Sequence, residues 1–310
     1  MKTLTLTSIF FSALLLITSC DSDDDKSTQI PDNDTPETAG IGYSETNEDP
    51  TNIYNAITAT LNANDNIGIV AEVNHSANAQ NAGLSLDYTR TVYFGNPALG
   101  TPLMQDNIQA GLDLPQRISV YTDEDNHTVV TYNSVDYIIN RHSLGTVSST
   151  EMIENALANI VESATGEAVV LNPIENEGSK GIVSVASSND FDTTYNNIIN
   201  TLNNLEPISI MAELDHQANA ESIGMELMPA KLIIFGNPVL GTPLMNESRT
   251  MALDLPQKML VYQDAEGKVH IIYNDPFYLA ERHDVDDNDD TLETISQALE
   301  NIANSGASES

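Results

Sequence analysis

The sequence predicts an α+β protein made of two tandem copies of one small domain, each a mixed sheet with helices packed on it. Three observations carry this. One motif recurs at a constant offset, the apolar residues switch between strand and helix periods, and 40% hydrophobic content suffices for ordinary cores. Phe94-Gly95-Asn96-Pro97 returns 141 residues later (94 to 235) as Phe235-Gly236-Asn237-Pro238. The same offset pairs Tyr54 with Tyr195, Glu72 with Glu213, His75 with His216 and His142 with His283. After a one-residue slip, Ala156-Leu157 aligns with Ala298-Leu299. The units therefore run over 39–165 and 180–305, with 166–179 as a Gly/Pro/Glu-bearing linker.

The elements follow in order. Residues 1–19 read as a signal peptide: Lys2 supplies the positive end, and the apolar run Ile9 to Ile17 is too short to span a bilayer. Ile17-Thr18-Ser19-Cys20 resembles the bacterial lipobox, which implies diacylation of Cys20 and a membrane anchor. Cys20 is the single cysteine, so the chain has no disulfide framework. Residues 20–38 open with Asp21-Ser22-Asp23-Asp24-Asp25 and stay polar, which predicts a flexible acidic tether. That tether resembles the export signal of Bacteroidetes surface lipoproteins, which implies an outer-membrane, surface-exposed location. A spacer in the periplasm is the alternative.

Within a unit, Gly181 to Ala186 reads as a strand. Asp190 or Asp192 caps a helix with Phe191, Tyr195, Ile198, Ile199 and Leu202 on one face. Ile208, Ile210, Ala212 and Leu214 alternate as a half-buried strand, matched by Ile67, Ile69, Ala71 and Val73. A short Ala-rich helix follows the histidine, then a strand over Lys231 to Phe235. Thr101-Pro102 and Thr242-Pro243 look like an N-cap followed by proline at the first helical position. Lys258 to Gln263 and Lys268 to Tyr273 flank the turn Asp264-Ala265-Glu266-Gly267 as a hairpin. Two helices close the unit, the last with Leu292, Ile295, Leu299 and Ile302 on one face.

The formal charge of −35 comes from 46 acidic and 11 basic residues. Such a surface repels phosphate, and no basic stripe offsets it, so nucleic acid is excluded as a partner. P-loop, Rossmann and zinc motifs are absent, and no cofactor is expected.

The run Phe-Gly-Asn-Pro-x-Leu-Gly-Thr-Pro-Leu-Met, then Leu-Asp-Leu-Pro, Val-Tyr, Tyr-Asn and Arg-His, resembles the DUF302 family over nearly all of both units. Copy 2 matches more closely, with Pro229 before Lys231 and Asn274-Asp275-Pro276 after the hairpin; copy 1 has Tyr88 and Ser134-Val135 there. The family's function is unknown. The resemblance implies a small α+β domain that tends to pair, and so intrachain pairing of the two copies.

Polar residues kept in both copies are the candidate binding residues: Glu72, His75, Asn96, Thr101 and His142, with Glu213, His216, Asn237, Thr242 and His283. Glu72-x-x-His75 and Glu213-x-x-His216 put a carboxylate and an imidazole where a strand gives way to a helix. Such a pair suits proton sharing or metal binding, but two ligands are too few for a metal site, and a histidine capping the next helix is the plainer reading. A helix start at Thr101 or Thr242 presents free N–H groups to a small anion. Arg141-His142 and Arg282-His283 end a helix, where cations suit the dipole. Met104 and Met245 read as core, and the acidic loop Asp284 to Asp290 as a solvated helix cap. The reading that results is a lipid-anchored envelope module that binds a ligand or a protein partner. A metal-binding or acid/base enzyme using the Glu-x-x-His pairs is the alternative.

Overall fold

The computed structural model describes residues 35–174 and 180–308. The signal peptide, Cys20 and the tether up to residue 34 lie outside the described residues. The described chain is α+β.

Copy 1 runs β1 (Ile41–Thr46), α1 (Pro50–Asn62), β2 (Gly68–Asn74), α2 (His75–Asn81), β3 (Thr89–Gly95), α3 (Pro97–Asp106), a 3-10 turn (Ile108–Leu112), β4 (Gln116–Thr122), β5 (Thr128–Asn133), α4 (Val135–Arg141) and α5 (Thr150–Thr165). Copy 2 repeats it as β7 (Ile182–Ser187), α6 (Phe191–Asn203), β8 (Ser209–Asp215), α7 (His216–Ser222), β9 (Ala230–Gly236), α8 (Pro238–Glu247), a 3-10 turn (Arg249–Leu253), β10 (Gln257–Gln263), β11 (Val269–Asn274), α9 (Pro276–His283) and α10 (Asp289–Ala307). Between the copies lies the two-residue strand β6 (Val170–Leu171).

The sheets have the orders β2-β3-β4-β5-β1-β6 and β7-β11-β10-β9-β8. Every strand pairing among the described residues is antiparallel, so the mixed sheet expected from the sequence is corrected. The first strand of each copy joins the hairpin at one end of the sheet, and α1 or α6 carries the chain to the other end. No parallel neighbours result. The segment read as a linker contributes β6, which pairs with β1 at Gly42 and Tyr43. The tether also ends earlier than expected. Thr38 is buried and its hydroxyl meets that of Thr250 at 2.9 Å, while Asn172 donates to the carbonyls of Pro36 and Thr38.

Each helix start has a local cause. Asp190 caps α6 by accepting from Thr193 N–H at 2.8 Å. Ser134 and Asp275 cap α4 and α9 in turn, so the differing loops of the two copies do the same task. At Gly181, with φ +69°, a Cβ would lie 2.0 Å from the Tyr278 ring, so no other residue fits there.

Alternate residues of β9 and β10 take opposite sides, as the strand period requires. Ile233, Phe235, Met259 and Val261 pack with α6 and α10, in one core with Leu292, Ile295, Leu299 and Ile302. Leu232, Ile234 and Leu260 instead join the core of copy 1. Two sheets thus stack face to face with the helices of each copy outside. Burial on both faces explains why these strands read as nearly continuous apolar runs.

Candidate functional site

Two kinds of site lie between the copies. The first is a charged layer between the sheets. Asp113 and Asp254 end the two 3-10 turns, and Arg117 and Lys258 stand four residues on, in β4 and β10. Asp113 Oδ2 accepts from Arg141 Nη1 and His142 Nε2, both at 2.8 Å. Asp254 Oδ2 accepts from Arg282 Nη1 at 2.7 Å and His283 Nε2 at 3.0 Å. Across the interface Arg117 reaches Asp254 and the carbonyl of Leu253, and Lys258 Nζ lies 3.4 Å from Oδ1 of both aspartates. Arg141 donates to Asn274 and Arg282 to Asn133, each at 2.8 Å. All these charged side chains are at most 3% exposed.

Burial works against ionising Asp113, but Arg141 and Lys258 outweigh it and hold the carboxyl well below its usual range. Asp254 is held down the same way by Arg117 and Lys258. Burial and the Arg117 charge push Lys258 down to about 8, against the pull of the two aspartates. Burial likewise depresses His142, and His283 to about 4, so each is a neutral imidazole donating through Nε2. His142 and His283, expected to sit at helix ends for the dipole, do end α4 and α9, but their partners are the buried aspartates.

The second kind of site is a pair of equivalent clefts. In one, His75 of copy 1, the first residue of α2, faces Asn237, Thr242, Met245 and Gln257 of copy 2. Its walls are Phe235, Pro238, Leu240, Leu255, Pro256 and the apolar face of α10, around a cavity of about 70 Å³. The other mirrors it with the copies exchanged. His216 faces Asn96, Thr101, Met104 and Gln116, beside Ile153, Leu157 and Ile160 of α5, around a cavity of about 510 Å³. Apolar walls with few polar groups are typical of small-molecule sites, and the volume of the larger cleft, though not of the smaller, falls in their usual range.

The polar groups of these clefts are deeply buried. His75 is 5% exposed, Thr242 1% and Gln257 7%, yet His75 Nε2, Thr242 Oγ1 and Gln257 Oε1 have no hydrogen-bond partner among the described residues. In the mirror cleft both amide atoms of Gln116 lack a partner, while His216 Nε2 donates to the Gly111 carbonyl at 3.2 Å. Burial pushes both histidines down to about 4, so both are neutral at pH 7.

The candidate residues therefore divide. His75 joins Asn237 and Thr242, and His216 joins Asn96 and Thr101, always across copies. Neither joins its own glutamate: Glu72 accepts from the Tyr54 hydroxyl at 2.9 Å and lies 3.6 Å from Arg90, and Glu213 accepts from Tyr195. Nor does His75 share a partner with His142. The helix caps are also corrected. Asn74 and Asp215 cap α2 and α7, so the histidines occupy the first helical position. Asn96 and Asn237 cap α3 and α8, with Pro97 and Pro238 next. Thr101 and Thr242 lie inside those helices, so the free N–H groups expected there for an anion belong to helix interior. Sequence reasoning missed Asp113, Gln116, Arg117 and their counterparts. The signal was present, because Asp254 and Gln257 repeat Asp113 and Gln116 at the same 141-residue offset. Among the described residues no three metal-ligating side chains converge.

Comparison with known proteins adds three similarities. A 103-residue stretch is 40% identical to proteins named fluoride-specific ion channel FluC 1 from Brucella suis biovar 1 and Brucella abortus biovar 1. It covers 33% of this chain and 40% and 38% of theirs, so the chain spans about two fifths of the length of the curated relatives it matches. The crystal structure of an uncharacterized conserved DUF302 protein from Bacillus stearothermophilus is 18% identical, covers 41% of this chain and 98% of that one, and gives a TM-score of 0.37. The family described as domain of unknown function DUF302 matches residues 43–164 and again 183–302, well over half of the chain. This protein thus belongs to the DUF302 family, as a tandem repeat of its domain.

Proposed function

We propose that this protein is a lipid-anchored cell-envelope binding module that takes a small ligand in each of the clefts between its paired repeats. The observation that carries the reading is the set of buried polar atoms without a partner in otherwise apolar clefts. Leaving such an atom unsatisfied costs about 1–3 kcal/mol. A ligand that supplies the missing hydrogen bonds recovers that cost and covers apolar wall as well. The lipobox at Cys20 and the acidic run after it support the anchor and the surface location.

The name of the curated relatives concerns fluoride. Among the described residues neither cleft is lined by a lysine or arginine that would hold an anion, so the ligand reading rests on the clefts and not on that name. The alternative of a Glu-x-x-His enzyme has less support, since each glutamate is engaged by a tyrosine and each histidine faces the other copy.

Two measurements test the reading. Native mass spectrometry of the protein from its source should show a bound small molecule that is lost when Ala156→Trp and Ala298→Trp fill the cleft mouths. Detection of the bare chain alone would remove the binding proposal. Cys20→Ala should move the protein out of the membrane fraction, and continued attachment would remove the anchor.

A further inference from the structure

We infer that the ligand of the His75 cleft is a neutral amphipathic molecule, with an apolar body and one uncharged hydrogen-bonding end such as a hydroxyl or an amide. This inference rests on the cleft being a binding site and specifies what enters it. Among the described residues that line that cleft, only His75 is titratable, and no lysine, arginine, aspartate or glutamate is with it. The imidazole is neutral at pH 7, because burial holds its protonation near pH 4. A charged end group would therefore leave water without a counter-charge, at a cost of several kcal/mol per ion. The chain's net charge of −35 opposes an anion before it reaches the cleft.

The unpartnered atoms specify the end group further. Gln257 Oε1 only accepts, the Thr242 hydroxyl both donates and accepts, and the His75 Nε2 role follows its tautomer. A hydroxyl or amide, which donates and accepts at once, satisfies Gln257 and one other group. A carboxylate has no proton for Gln257, and a pure hydrocarbon leaves all three atoms as they are. The remaining walls, with Phe235, Leu240, Pro256 and Leu299 among them, suit an aliphatic body. The mirror cleft differs in that His216 Nε2 is held by the Gly111 carbonyl and exposed Asp65 stands on the rim, adding a negative charge there.

The test uses three probes of equal chain length: 1-octanol, octanoate and octylamine, titrated into the full chain carrying Cys20→Ala. Calorimetry should show 1-octanol binding at least about tenfold more tightly than either ion, the factor expected from one hydrogen bond of ~1.4 kcal/mol. Thr242→Val with Gln257→Leu should weaken 1-octanol by about tenfold, and Ala298→Trp should abolish binding in this cleft. Tighter binding of octanoate or octylamine, still lost in Ala298→Trp, would overturn the neutral class while leaving the cleft as a binding site. Binding of all three probes unaffected by Ala298→Trp, or no binding of any, would overturn the inference and the binding proposal together.

Discussion

The charged layer and the two clefts are both built from polar side chains repeated in the two copies and buried between them, yet the layer is knit by ion pairs and the clefts are walled by apolar residues. In the layer every oxygen of Asp113 and Asp254 has at least one cationic or imidazole partner, and Arg141 and Arg282 bond across to Asn274 and Asn133. In the clefts the retained atoms of His75, Thr242, Gln257 and Gln116 face apolar walls without a partner. Repetition of a residue in two copies therefore has two causes. One is to hold the sheets in register, and buried ion pairs across the copies are its mark, even though His142 Nδ1 and the amide nitrogens of Asn133 and Asn274 have no partner among the described residues. The other is to meet something outside the chain, and unsatisfied atoms that line an apolar cleft are its mark.

The largest effect that sharpens this contrast comes from the layer. Asp254→Ala leaves Arg117, Lys258 and Arg282 without their shared carboxylate, and breaking a buried pair in this way costs about 3–5 kcal/mol. Urea denaturation should show that loss, and a change below about 1 kcal/mol would show that the layer does not hold the copies together.

Acid comes next. The histidines at 75, 216 and 283 titrate near 4 in the folded chain against an ordinary value of 6.5. Between those values the unfolded chain binds more protons, so stability is full above 6.5 and is lost as pH falls towards 4, by about 1.4 kcal/mol per unit per histidine. Below that, protonation of Asp113 and Asp254 removes more, because their depressed carboxyls contribute only while ionised. His75→Gln with His216→Gln should flatten the first slope by roughly half or more, since two of the four depressed histidines are removed. An unchanged slope would show that the cleft histidines are hydrated and not buried.

The smallest effect belongs to the cleft oxygens. Thr242→Val with Gln257→Leu should leave stability within about 1 kcal/mol of the parent, or raise it, because each change removes an unsatisfied group. A loss of about 3 kcal/mol or more, as in the layer, would place these residues with the structural set, in a buried hydrogen-bonded network.

Much of the fold was legible because its causes are local. The alternation at Ile208, Ile210, Ala212 and Leu214, the cap at Asp190 and the apolar face of α10 each reflect neighbours in sequence. The start of α3 was misplaced because two polar-proline pairs compete within six residues. Asn96 wins because its side chain accepts from Ala98 N–H while its carbonyl accepts from Leu99 and Gly100. Pro102 then sits inside a ten-residue helix, where its ring removes a single backbone hydrogen bond. The clefts were half legible, because His75 and Thr242 were singled out but belong to different copies and meet only through the stacking of sheets. The charged layer was legible only in pieces: Arg141-His142 and Arg282-His283 were singled out and Asp113 and Asp254 stand in the repeated Leu-Asp-Leu-Pro run, but their meeting between the sheets has no local cause in the sequence.

The crossing of His75 into the cleft of copy 2, and of His216 into that of copy 1, has a hereditary consequence. Neither repeat carries a whole cleft, so a deletion that removes one repeat removes both clefts at once. A change in the Asn96 to Thr101 loop is felt only where His216 sits, and a change at Asn237 to Thr242 only where His75 sits. Duplication within one gene thereby frees the two clefts to drift apart, which a pair of identical chains cannot do, while binding the two repeats to a common fate.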